Sequence, residues 1–186
     1  MNIKMIVGVA ALLCGSLASH AQSDWQKKVT DELPLLGHRN WIVIVDSAYP
    51  LQTSPGVETI ETGEDQLAVV DYVLAALKSS THVRPLVHTD KELGFVPEKE
   101  APGVTKYRED LKARLQGFSA DEVLHQVLID RLGETGKSFH VLVLKTRMTI
   151  PYTSVFLQLD CKYWGDESEV KLREAMKAGK PQATKP

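Results

Sequence analysis

Residues 41–45, Trp-Ile-Val-Ile-Val, constrain this chain more than any other segment: five consecutive apolar residues, four of them β-branched. A strand with one wet face alternates apolar and polar positions. An unbroken run fits a strand covered on both faces, as in an α/β sheet. Gly37 lets the backbone turn tightly beside His38, and Pro50 with the Pro- and Gly-containing run after it stops the strand and opens a loop. The run is thus flanked by an acid-base residue, His38, and a carboxylate, Asp46. Ligands of α/β sheets bind at strand ends, so these two are the first candidates for chemistry. Eight residues of extended chain reach roughly 26 Å at about 3.3 Å each, too far for both to touch one small ligand. Either the flanking loops curl back or the site is shared between subunits.

The remaining patterns alternate helix with strand. Asp24 to Leu36 reads as an amphipathic helix limited by Pro34, and Asp46 to Gly63 as a long polar loop suited to a lid. Leu67, Val70, Val73, Leu74 and Leu77 recur at helical spacing, and His82 to His88 offers a short strand. Thr105 is the expected N-cap of a charged helix ending at Gly117. Ser119-Ala120-Asp121-Glu122 is a capping box expected to open a further helix, which carries His125 and ends at Gly133. Phe139 to Leu144 and Ser154 to Leu159 are apolar enough for buried strands around a turn holding Pro151 and Tyr152, and Asp166 to Ala178 closes the chain as a polar helix. The expectation is a three-layer α/β/α domain with a parallel or mixed central sheet.

At the start, Lys4, the apolar run Met5 to Leu13 and the small-x-small Ser19-His20-Ala21 form a secretory signal over 1–21, leaving one domain over 22–186. The apolar run is shorter than the roughly 20 residues a membrane span needs, so a secreted or periplasmic protein with no membrane span after cleavage is expected. Bulky Leu13 before Cys14 disfavours lipidation. Loss of Cys14 leaves Cys161 alone, without an intramolecular disulfide, and it reads as a small buried hydrophobe. The net charge of −2 becomes −3 once Lys4 is removed, and no basic stripe with interleaved aromatics exists, which excludes nucleic acid as the expected partner.

Several chemistries are excluded by spacing. Gly136-Lys137-Ser138 mimics the end of a phosphate-binding loop, but Arg131 stands where its first glycine is required. Neither a Gly-x-Ser-x-Gly elbow nor a His-Glu-x-x-His pair is present. His82, His88 and His140 flank or enter strands and read as satisfied structural histidines, without the compact spacing of a metal site.

Leu36-Gly37-His38, the apolar strand, Asp46 eight residues after His38, and Pro50 together resemble the opening of the ribose pyranase and fucose mutarotase family. Ile150-Pro151-Tyr152-Thr153-Ser154 and the apolar strand after it resemble that family's closing Pro-Tyr-x-Asn motif. Arg84-Pro85-Leu86-Val87 and the stretch from Val104 to Leu111 look like the middle of its fucose branch, so the resemblance runs from about Leu36 to about Leu159. It implies a cofactor-free isomerase that interconverts ring or anomeric forms of a monosaccharide. In that reading His38 is the general acid or base, Asp46, Tyr152 and Ser154 hold sugar hydroxyls, and His125 supplies a second, central histidine. It also implies a ring-like homo-oligomer with sites at subunit contacts, an expectation that the aromatic pair Tyr163 and Trp164 beside Cys161 supports. The chain departs from the family in Ser154, which replaces Asn, and in Arg147 and Met148, which stand where a small residue and Glu are usual. These departures favour a second reading, a sugar-binding or assembly module that has lost turnover.

Overall fold

The computed structural model describes residues 23–179; the expected leader lies outside them. Six strands, β1 (Trp41–Val45), β2 (Val57–Glu61), β3 (Val83–Asp90), β4 (Ala120–Val123), β5 (Val141–Lys145) and β6 (Val155–Cys161), form one sheet in the order β2-β5-β1-β6-β3-β4. The sheet is mixed: β6 runs antiparallel to both its neighbours, β1 and β3, and all other pairs are parallel. Five helices accompany it: α1 (Asp24–Glu32), which runs into a 3-10 turn at Leu33–Leu35, α2 (Gln66–Ser79), α3 (Val104–Arg114), α4 (His125–Thr135) and α5 (Asp166–Lys177).

Successive side chains of a strand point to opposite faces. Ile42 and Ile44 of β1, with Leu142, Leu144, Val155 and Leu157, pack under α1, α2 and α3. Trp41, Val43 and Val45, with Val141, Val143 and Phe156, pack under α4 through Leu128 and Leu132. β1 is buried along its whole length, as its composition requires. The two apolar cores thus make the three expected layers, while α5 buries none of its residues and belongs to neither core. No described helix is long and apolar enough to cross a membrane.

Three local expectations are corrected. The second half of the expected loop 46–63 is β2, an edge strand that pairs with β5 from Val57↔Val141 to Glu61↔Lys145. Its polar Val-Glu-Thr-Ile-Glu sequence carries little strand signal, and it is held by backbone approach: Gly56 N donates to Gly136 O at 2.7 Å and Val141 N to Gly56 O at 2.9 Å. A Cβ at Gly56 would run into the Phe139 carbonyl oxygen, and one at Gly136 would meet Val57 Cγ2 at 2.5 Å. The expected capping box is not a helix start, because Ala120–Val123 is β4, laddered to Val87–Asp90, and α4 begins only at His125. The N-cap of α3 is Gly103, with φ 94°, in place of Thr105. Glu98 caps that helix from outside, accepting from Gly103 N at 2.6 Å and Thr105 N at 2.9 Å, and these bonds hold its carboxyl down to about 2.

α1 is fastened to the sheet edge by charge. Lys28 Nζ lies 2.8 Å from Glu32 Oε1 and 2.7 Å from Glu58 Oε1, and His140 Nε2 lies 3.2 Å from Glu32 Oε2. Glu32, Glu58 and His140 bring their ligating atoms within 4.8 Å of one another, and Lys28 already pairs with both carboxylates through their Oε1 atoms.

Leu128 is fully buried and seats the only helix on its face of the sheet among the described residues. Leu128→Ala is expected to lower unfolding free energy by about 2–5 kcal/mol in urea titration. Leu35→Ala, at a position 83% exposed, is expected to stay within about 0.5 kcal/mol of wild type.

Candidate active site

Because every strand but β6 runs the same way, the carboxyl ends of β1, β3, β4 and β5 meet the start of β6 on one rim of the sheet. Asp46 follows β1, Asp90 ends β3, His125 comes two residues after β4, and Ser154 precedes β6. A cleft of about 420 Å³ opens on this rim, walled by Asp46, Tyr49, His125, Pro151 and Tyr152. That volume is in the range of small-molecule sites.

His125 is the best-held group in the cleft. As the first residue of α4 it donates its backbone N–H to the Glu92 carboxylate, at 3.0 and 3.1 Å, and its Nδ1 lies 2.9 Å from Asp90 Oδ1. Asp90 has a fully buried side chain, and its Oδ2 has no hydrogen-bond partner among the described residues. The hydrogen bond that Asp90 accepts from Nδ1 raises the His125 pKa above its ordinary value against the opposing effect of burial, and burial pushes the Asp90 carboxyl up. With Nδ1 engaged, Nε2 is the nitrogen left for a ligand. Tyr152, Tyr49 and Phe156 stand edge-on to the imidazole, with ring centroids at 5.5, 6.1 and 6.5 Å. Burial raises the Tyr49 hydroxyl pKa, so Tyr49 remains a neutral hydrogen-bonding group. Asp46 Oδ1 accepts from Ala48 N at 2.8 Å, which fixes the carboxylate at the turn after β1.

The loop that carries Tyr152 is pinned by a buried polar knot. Gln66 Nε2 donates to Thr153 O and, at 3.2 Å, to Tyr107 Oη, while its Oε1 accepts from Thr146 Oγ1 at 2.9 Å. Tyr107 donates to the same Thr153 carbonyl at 2.8 Å, and Thr146 Oγ1 bonds back to Val45 O at 2.9 Å. Tyr152 itself sits in the left-handed region, with φ 59°.

The expected site residues separate into three groups. Asp46, His125 and Tyr152 share the cleft. Ser154 is fully buried with an unpartnered Oγ and does not line the cleft; it stands behind it, next in line to the Val155↔Thr89 pair and so opposite Asp90. His38 lies at the other end of β1, in a cleft of about 400 Å³ with His82, Cys161, Tyr163 and Trp164. The flanking loops therefore do not curl back to join His38 and Asp46 within one chain. Arg147 is exposed and Met148 packs against the three-helix core, and neither lines the Asp46 cleft. Cys161 is only partly buried. His82 and His140 are satisfied as expected, but both nitrogens of His88 are buried without a hydrogen bond among the described residues. Asp90 escaped the sequence reading because the strand before it was expected to end at His88, two residues short of its observed end.

No protein-family model and no curated protein sequence matches this chain. Solved structures do match. The Bacillus subtilis RbsD complexed with D-ribose is 16% identical, with a TM-score of 0.51 over 72% of this chain and 91% of that one. The fucose mutarotase of Streptococcus pneumoniae in complex with L-fucose is 18% identical, with a TM-score of 0.51 over 76% of this chain and 97% of that one. Both matches extend over nearly the whole of those proteins. This chain has the mixed α/β fold of the ribose pyranase and fucose mutarotase proteins.

Proposed function

We propose that the protein is an exported monosaccharide mutarotase or pyranase-like isomerase working by cofactor-free acid-base catalysis. The observation that carries this reading is the buried Asp90 behind His125, in a small cleft shared with Asp46 and two tyrosines. The shared fold supports it, since the two solved relatives hold D-ribose and L-fucose.

Ring opening removes the proton of the anomeric hydroxyl, forms a carbonyl at that carbon, breaks its bond to the ring oxygen and protonates that oxygen. In this reading His125, whose protonated form the contact with Asp90 favours, donates from Nε2 to the ring oxygen. Asp46 accepts hydrogen bonds from sugar hydroxyls, and the Tyr152 ring lies along the sugar. His38 takes the anomeric proton at a site completed by a second copy of the chain, because its position at the far end of β1 leaves it no role in its own chain's cleft. The burial of Ser154 favours the second reading, a sugar-binding module without turnover, since a hydroxyl turned into the core supplies no contact that an asparagine would make.

Exchange NMR on ribose, fucose and other monosaccharides is expected to show catalysed ring or anomer interconversion. His125→Ala and His38→Ala should each slow it by about 10²–10⁴-fold. Calorimetric binding of a sugar without acceleration of exchange selects the module, and neither binding nor acceleration with any sugar rejects both readings.

The pH behaviour follows from the Asp90 contact. The raised His125 pKa contributes stability that is fully present below the unfolded histidine pKa and is lost as pH rises through the folded value. Turnover that needs cationic His125 should fall over the same upper range. Asp90→Asn is expected to move the His125 imidazole titration, followed by NMR, to lower pH and to shift the alkaline limb of the rate profile with it. An unmoved titration would show that Asp90 does not set this proton.

Sedimentation at micromolar concentration is expected to show a homo-oligomer. An active monomer would remove His38 from the mechanism.

A further inference from the structure

A separate cleft of about 330 Å³ opens at the rim opposite the candidate active site, on the face of the sheet that α4 covers. Arg39 and Arg131 stand on its wall with Trp41, Ser138, Phe139 and Gln158. Among the described residues neither guanidinium makes an ion pair or a hydrogen bond. Arg39 lies over the Phe139 ring, 5.6 Å from its centroid. Glu134, the acid on this wall, is already paired with Lys137 at 2.6 Å. The wall therefore carries two cationic groups with no counter-charge of their own.

Two further features surround this wall. His88, 8% exposed, stacks behind Trp41 at a centroid distance of 5.5 Å, with no hydrogen bond to either ring nitrogen among the described residues and Nδ1 3.9 Å from Asp121 Oδ2. Burial first and the Arg131 charge second lower its pKa, against the opposing pull of Asp121 and Gln158. Arg39, for its part, holds φ at 76°, in a turn closed by Asn40 Oδ1 accepting from Gly37 N at 2.7 Å. A glycine would hold that turn without strain, yet the position carries a guanidinium directed at the cleft.

We propose that this cleft binds a phosphate monoester of a small molecule. Two planar guanidiniums match the oxygens of a phosphate better than those of a single carboxylate can use, Ser138 and Gln158 add neutral hydrogen-bonding groups, and the Phe139 ring offers a face to the organic part. The site stands independently of the chemistry assigned to the Asp46 cleft.

Calorimetry on the full chain at low salt, with inorganic phosphate, phenyl phosphate and benzoate, tests it. Saturable binding is expected with phenyl phosphate tightest, and Arg131→Gln and Arg39→Gly should each weaken it at least tenfold. Arg39→Gly should keep or raise the Tm, because glycine adopts the left-handed turn freely, so its loss of binding cannot be ascribed to unfolding. Absence of saturable binding, an affinity unchanged in Arg131→Gln, or benzoate bound as tightly as phenyl phosphate would overturn the proposal.

Discussion

Burial of β1 on both faces is the constraint from which the rest of the arrangement follows. Its five side chains are divided between two apolar cores, and its two flanks are taken by β5 and β6. A strand so enclosed has no place for a polar side chain, since burying one without partners costs more than the packing returns. Polar function is displaced to the strand's ends, and the parallel run of most of the sheet collects the ends of like sense on the same rim. Asp46 joins His125 and Tyr152 on one rim, while His38 joins His82, Arg39 and Trp164 on the other. The eight residues between His38 and Asp46 are thus a fixed separation, set by the core and not by the loops.

Elements whose signal is apolar spacing were legible in the sequence. β1, α2, β5 and β6 follow from runs or helical periodicity that any folded context must respect. Signals that depend on local hydrogen bonding misled at Ser119, where a capping pattern was overridden by the ladder that β4 makes with β3; Glu92, from a distant turn, caps the real helix instead. β2 was illegible for the converse reason, because a polar edge strand draws its stability from a neighbour that the local sequence does not reveal. Of the site, Asp46, His125 and Tyr152 were each visible as residues of suitable chemistry. Their common cleft and the support of Asp90 were not, since both depend on which strand ends lie side by side.

Two residues other than glycine hold positive φ among the described residues, Arg39 and Tyr152, and they occupy opposite rims. Such backbone costs of order 1–3 kcal/mol at each position and persists only where its surroundings over-determine it. Asn40 does this for Arg39 by bonding Gly37 N and, through Nδ2 at 3.2 Å, His140 O. The knot of Gln66, Tyr107, Thr146 and Thr153 does it for Tyr152. In both places the strained residue presents a large side chain to a cleft, and the buried neighbours, not the loop, decide where that side chain points.

The backbone contact between Gly56 and Gly136 has a consequence for how this sequence can drift. Each position is closed to a side chain by the other's strand or turn: Gly56 faces the Phe139 and Gly136 carbonyl oxygens, and Gly136 faces the side chains of Val57 and Ser54. A change at one site is tolerated only together with retreat of the opposing segment, so residues far apart in the chain must vary as one heritable unit. β2 is the element at stake: lineages that lose either glycine should lose the sheet's outer strand altogether, and the histories of the two loops should be read together.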